Sequence, residues 1–210
     1  MSKLEEINEN VIKGKAQKVA QLVKEALKEN ITPEMILQNS LIGAMAVVGE
    51  GMKKGTLFIP EVLLSARAMK FGLEVLKPVL QNAQAMKAGV VAIGTVKGDL
   101  HDIGKNLVCM MLESSGFEVI DLGIDVSTER FLQVVREKEP NILGLSTLLT
   151  TTMPAMAEVI RALEKAGLKK TVKVIVGGAP VNEAFSKQIG ADGYARDAAS
   201  AVEMVTAMVQ

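Results

Sequence analysis

The residues whose types and spacing could do chemistry lie together in Lys97-Gly98-Asp99-Leu100-His101-Asp102-Ile103-Gly104-Lys105. His101 is the only histidine in 210 residues, and Asp99 and Asp102 flank it. A lone imidazole with a carboxylate two residues away fits a metal ligand with its orienting partner. It fits equally a surface histidine in a turn, and the loop alone does not choose between them.

The elements around the stretch say where it sits. It follows the apolar run 90–96 and precedes a helical pattern beginning near Lys105. Beyond residue 89, strand-like runs (89–96, 117–122, 142–147, 172–176 and a short 193–195) alternate with helical segments (105–115, 128–138, 153–166, 181–189 and 198–209). The first, third and fourth runs are almost continuously apolar, as strands covered on both faces must be. Five such units predict an α/β domain with a doubly wound, flavodoxin-like five-stranded parallel sheet. Every loop after a strand then lies on one edge, so 97–104, 146–153, 177–181 and 194–198 converge. Ser146-Thr147-Leu148-Leu149-Thr150-Thr151-Thr152 offers hydroxyls for a hydrogen-bonding slot, and Gly177-Gly178 has no Cβ to keep a ligand from the backbone.

Residues 1–86 read as helix throughout. Leu4, Ile7 and Val11, then Val19, Val23 and Ala26, recur at helical spacing. Thr32-Pro33-Glu34 is a restart with an N-cap, a proline at N1 and an acid for the helix dipole. A third helix carries Ile36, Leu41, Met45, Val48 and Met52, and a fourth runs from Ile59-Pro60-Glu61 to Pro78. Four helices with short turns predict an all-α bundle. The domains expected are 1–86 and 87–210, with 80–89 as linker.

Composition excludes several classes. Lys plus Arg equal Asp plus Glu at 24 each, and no helix is basic enough to read a groove, so no nucleic acid partner is expected. The lone Cys109 lies in a helical pattern, where a packed thiol is expected rather than a nucleophile. A charged amino terminus without an apolar core, and no apolar run judged long enough to span a bilayer, give the expectation of a cytoplasmic protein without membrane contact.

The loops also eliminate rivals. Gly104-Lys105-Asn106 is only a fragment of a phosphate-binding P-loop, and the glycines after the first strand do not make G-x-G-x-x-G. A phospho-receiver would need an aspartate where Ser146 and Thr147 stand. A zinc hydrolase would need more clustered protein ligands than one histidine supplies. A metal held by a macrocycle, with one axial place for an imidazole, survives.

The spacing is then specific. Asp99-x-His101-x-x-Gly104 is followed after 41 residues by Ser146-x-Leu148, and after 28 more by Gly177-Gly178. This resembles the cobalamin-binding signature of the B12-binding family. The helical segment, including Val48-Gly49-Glu50 and Phe58-Ile59-Pro60-Glu61, resembles the cap module of its methyl-transferring members. The chain is most similar to the small corrinoid proteins of methanol, methylamine and methoxy-compound methyltransferase systems, and to the cobalamin module of methionine synthase.

The resemblance implies a cobalamin or related corrinoid cofactor whose cobalt takes His101 as lower ligand. Asp99 would bond the other ring nitrogen, and Thr152 would end a relay where methionine synthase carries serine. It implies cofactor contacts from Gly98, Asp99, Leu100, His101, Asp102, Ile103 and Gly104, from Ser146, Leu148, Thr150 and Thr152 along the nucleotide tail, from Gly177 and Gly178, and from Ala198 near the base. It implies a methyl carrier that is not itself a catalyst: Co(I) accepts a methyl group through a substrate-specific methyltransferase, and methyl-Co(III) passes it on through an acceptor methyltransferase. A reductive activator would be a third partner. The helical cap would cover the upper corrin face and swing aside about the linker. A B12-responsive sensor is the competing function, and a coenzyme-B12 isomerase subunit a third.

Overall fold

The computed structural model describes residues 2–79 and 88–209, which fall into two compact units. The linker expected at 80–89 lies, apart from its last two residues, outside the described residues.

The first unit holds α1 (Lys3–Ile12), α2 (Ala16–Lys28), α3 (Pro33–Lys53) and α4 (Ile59–Leu76). Three of the four starts are written in the sequence. Ser2 and Glu5 form a capping box, the Thr32 hydroxyl accepts the Met35 N–H ahead of Pro33, and the Glu61 carboxylate accepts the Phe58 N–H. Ile7, Val11, Val19, Leu22, Val23, Ile36, Leu41, Met45, Val48, Val62 and Met69 make the core. Gly72 brings α3 and α4 close, since a Cβ there would lie 2.9 Å from a Leu41 methyl. Within α3, Leu37–Ile42 widens into a π-helical segment that the spacing did not announce. Its extra residue keeps Ile36 and Leu41 on the buried side although they are five apart. The Ser40 hydroxyl donates to the Ile36 carbonyl, and the Asn8 amide donates to the Ser40 carbonyl at 3.3 Å.

One expectation is corrected here. With 21 residues and a mean hydropathy of 1.2, α3 is long and apolar enough to cross a membrane by length and composition. The buried stripe from Ile36 to Val48 is what makes it apolar, and that stripe packs inside the bundle.

The second unit is the sheet, with β1 (Val90–Thr95), β2 (Glu118–Asp121), β3 (Ile142–Ser146), β4 (Lys173–Gly177) and β5 (Gly193–Ala195). All pairs are parallel, in the order β2-β1-β3-β4-β5. Between and after the strands come α5 (Ile103–Ser114), α6 (Thr128–Lys138), α7 (Met153–Lys165), α8 (Glu183–Ile189) and α9 (Ala198–Val209). Strand alternation sends Ala92, Leu143, Leu145, Val174 and Val176 to one face against Phe131, Val135, Met156 and Ile160. It sends Val91, Ile142 and Ile175 to the other, against Leu112 and Val205. The predicted flavodoxin-like order is thus observed. Register aligns Thr95, Ser146, Gly177 and Ala195 as one row across the carboxyl edge. β1 is flanked by β2 on one side and β3 on the other, so the connections leaving β1 and β3 open a crevice between them.

Candidate functional site at the carboxyl edge

The crevice is organised by one carboxylate. The Asp99 side chain is fully buried, and both its oxygens are occupied. Oδ1 accepts the His101 backbone N–H at 3.0 Å and lies 2.7 Å from His101 Nδ1. Oδ2 accepts the N–H groups of Leu148 at 2.7 Å and Leu149 at 3.3 Å. The hydroxyls of Thr147 and Thr152 stand 2.8 and 3.0 Å from the same oxygen. The two hydroxyls are 2.5 Å apart, and Thr152 also reaches the Leu149 carbonyl at 3.0 Å. The loop is fixed further by the Thr95 hydroxyl, which donates to the His101 carbonyl at 2.9 Å, and by Asp125, whose carboxylate accepts the Gly98 N–H at 2.7 Å. Gly98 takes φ +84°, a turn conformation that favours glycine.

Burial alone would raise the Asp99 pKa. The hydrogen bonds accepted from Leu148, from the His101 backbone and ring, and from Thr147 outweigh it and hold the carboxyl well below the ordinary carboxylate range. In the neutral ring the hydrogen then sits on Nδ1, facing the Oδ1 anion, and Nε2 keeps a bare lone pair. The His101 side chain is 51% exposed while its partner is wholly buried. The site therefore offers an oriented ring nitrogen, Nε2, to whatever occupies the edge.

The surroundings suit a large, partly apolar occupant. Leu100, Ile124, Leu148 and Leu149, in the loops leaving β1, β2 and β3, and Ile103 at the start of α5 stay exposed, Leu100 by 67% and Ile103 by 80%. A Cβ on Gly104 would meet nothing within 4 Å, so packing within the protein gives no reason for glycine there. Among the described residues no three His, Cys, Asp or Glu side chains group to hold a metal unaided. A metal here would arrive with its own equatorial ligands and take one more from His101. On these three observations, bare Nε2, apolar rim and open Gly104, the residues present fit a metal macrocycle.

The other expected positions divide. Ser146 and Gly177 are register partners at the ends of β3 and β4, with Leu148 and Gly178 just beyond them. Gly178 has φ +133°, and a Cβ there would lie 1.7 Å from the Thr147 carbonyl oxygen, so the chain's own packing demands glycine whether or not a ligand passes. Thr150 is exposed, and Ala198 is buried at the start of α9. Asp102 accepts the Asn106 side-chain amide at 2.9 Å, and its carbonyl takes the Asn106 N–H, which opens α5. Cys109 is a packed thiol, pushed up to about 12 by burial and then by the nearby Asp121 charge.

Sequence reasoning missed Thr147 as a direct partner of Asp99. Its only signal was membership of the hydroxyl-rich run. It missed also the buried Lys105 and its bond to Asp121, for which sequence separation gives no cue.

Known proteins share this fold. The B12 binding domain family matches residues 89–203, and a second family of the same description matches residues 3–77. Dimethylamine corrinoid protein 3 of Methanosarcina acetivorans is 42% identical over 199 residues, covering 95% of this chain and 93% of that protein. A corrinoid protein of Desulfitobacterium hafniense is 39% identical over 97% of this chain and 96% of its own length. Among solved structures, the methanol:cobalamin methyltransferase complex MtaBC from Methanosarcina barkeri aligns with a TM-score of 0.88 and 33% identity, covering 99% of this chain and 79% of that one. A cobalamin-binding protein from Desulfitobacterium hafniense aligns at 0.83 with 32% identity, over 99% and 98%. Both parts of the chain are thus matched by the same relatives, and this chain is a member of the B12-binding corrinoid protein family.

Proposed function

We propose that the protein is a methyl carrier serving a corrinoid-dependent methyltransferase system, with His101 as the lower ligand of the cofactor. Bound cobalamin, or a related corrinoid, would supply a cobalt centre that accepts and releases the methyl group. The observation that carries the reading is the 2.7 Å contact between buried Asp99 and His101 Nδ1, which leaves Nε2 free beside an apolar rim.

The chain's own groups have distinct tasks. Asp99 fixes the imidazole tautomer and orientation, and its anchorage to Leu148, Thr147 and Thr152 keeps that orientation when the ligand site is empty. Thr147 and Thr152 supply hydroxyl hydrogens that can turn toward or away from Asp99 as the ring's hydrogen bonding changes. Leu100, Ile103, Leu148 and Leu149 exclude water from the lower side of the cofactor. Ser146, Thr150, Gly177, Gly178 and Ala198 would line the path of the nucleotide tail.

Residues 1–86 would act as the cap domain and 87–210 as the cofactor domain. The partners proposed are a methyltransferase for a small methylated substrate, as the dimethylamine and methanol names of the relatives indicate, an acceptor methyltransferase and a reductive activator. A cytoplasmic location follows from such partners.

The test is the absorbance spectrum of the protein loaded with hydroxocobalamin, compared with His101→Ala. Loss of the imidazole-ligated signature, with cofactor still bound, is expected. An unchanged spectrum refutes the ligand assignment. Reduced holo-protein that takes no methyl group from any methylamine or methanol methyltransferase would refute the carrier role.

A further inference from the structure

Two residues of the stretch 97–105 are buried, and both carry charge: Asp99 and Lys105. The role of Asp99 is given above, while Lys105 has none there. Its ammonium lies 2.6 and 2.7 Å from the two carboxylate oxygens of Asp121, the last residue of β2, and 2.7 Å from the Asn106 side-chain oxygen. Asp121 Oδ1 also accepts the Gly123 N–H at 2.9 Å. Asn106 in turn donates its amide to the Asp102 carboxylate at 2.9 Å and its backbone N–H to the Asp102 carbonyl at 2.7 Å. A continuous path therefore runs from the end of β2 through Lys105 and Asn106 to the residue beside His101.

Burial does not require this charge. The other buried positions of α5 with large side chains, Leu107, Met111 and Leu112, are apolar, and a methionine at 105 would fill the space without the cost of desolvating an ammonium. A charge held by both oxygens of a carboxylate supplies what an apolar contact lacks, a single direction and register. The loop needs one. Lys97, Leu100, His101, Ile103 and Gly104 are exposed, so no core contact fixes the carboxyl half of the loop. Its amino half is fixed by Asp99 and by the Thr95 hydroxyl.

We infer that Lys105 and Asp121 are positioning residues for His101: they tie the first turn of α5 to β2, so that the ligand-bearing loop is held at both ends and Nε2 is presented in one place. The inference rests on His101 being the lower ligand.

The experiment compares Lys105→Met, Asp121→Asn and His101→Ala with the parent chain. Three quantities are read: hydroxocobalamin bound per chain, the share of bound cofactor with the imidazole-ligated spectrum, and amide hydrogen exchange of residues 100–104 in the apo-protein, with Tm as a folding control. Lys105→Met is expected to bind cofactor at unchanged stoichiometry, to lower the ratio of ligated to unligated cofactor by about 10-fold, and to speed exchange at 100–104. Asp121→Asn keeps an oxygen facing the ammonium without its charge, and shifts both readouts the same way by less. If both variants lower Tm yet leave ligation and local exchange unchanged, the pair is a stability element only and the inference is overturned. If Lys105→Met does not fold, Asp121→Asn decides on the same readouts. If His101→Ala leaves the ligated spectrum intact, the ligand reading itself falls. Exchange in the apo-protein then still decides whether the pair anchors the loop.

Discussion

The two edges of the sheet each hold a carboxylate that ties neighbouring segments together, and they neutralise it by different means. At the amino edge Asp192 accepts the Val174 N–H at 2.7 Å and pairs with Lys169 at 2.6 Å, with Lys173 at 3.5 Å. At the carboxyl edge Asp99 does comparable backbone work, but among the described residues its partners include no lysine or arginine. Peptide N–H groups, two threonine hydroxyls and one imidazole surround it. A fixed cation satisfies a carboxylate permanently. Neutral donors and an imidazole leave it without a fixed counter-charge. The amino-edge aspartate locks two strands with fixed cations, whereas the carboxyl-edge aspartate orients an imidazole.

The contrast can be broken most severely at Asp99. Asp99→Ala strands three backbone N–H groups and two buried hydroxyls at once, and about 3 kcal/mol of stability is expected to be lost. Urea unfolding of the apo-protein checks this. Asp192→Asn keeps an acceptor for Val174 and loses only the ionic part, so about 1 kcal/mol is expected at neutral pH. Its pH dependence has a definite sign. Lys169 and the Val174 N–H outweigh burial and depress the Asp192 pKa in the folded protein. Its contribution is therefore complete above the unfolded carboxylate value of about 3.9 and is lost as pH falls toward the folded value. The stability gap between parent and Asp192→Asn should accordingly close on acidification, and also narrow in high salt. The smallest effect is expected of Thr147→Val, which removes one of two hydroxyls serving the same oxygen while Thr152 keeps both Asp99 and the Leu149 carbonyl in reach. A loss of about 1 kcal/mol or less is expected, read by the same unfolding measurement. A larger loss would mean that the two hydroxyls act as a unit.

Much of this edge could be read from the chain. Apolar runs predict the strands, and parallel connection puts the loops after β1, β3, β4 and β5 on one side, so Asp99 and His101 are expected near 146–152. The Asp99–Thr152 contact was expected from the resemblance. Thr147 escaped because a hydroxyl residue at the end of a strand looks the same whether it faces solvent or turns inward. The Lys105–Asp121 pair escaped because lysine at the start of a helix normally marks a solvated face. The π segment of α3 escaped because Ile36 and Leu41, five apart, do not fit helical periodicity until the backbone is seen to widen.

The loop around His101 also inverts the usual distribution of side chains, with leucine and isoleucine facing water and charge turned in. Until something covers them, Leu100, Ile103, Leu148 and Leu149 form a greasy patch on an otherwise charge-balanced protein, and such patches favour self-association. Loading the cofactor would then serve quality control as well as chemistry. On the proposed binding mode, a chain that has found its corrinoid would hide these residues and gain stability by mass action, while an empty one would stay conspicuous to chaperones and proteases.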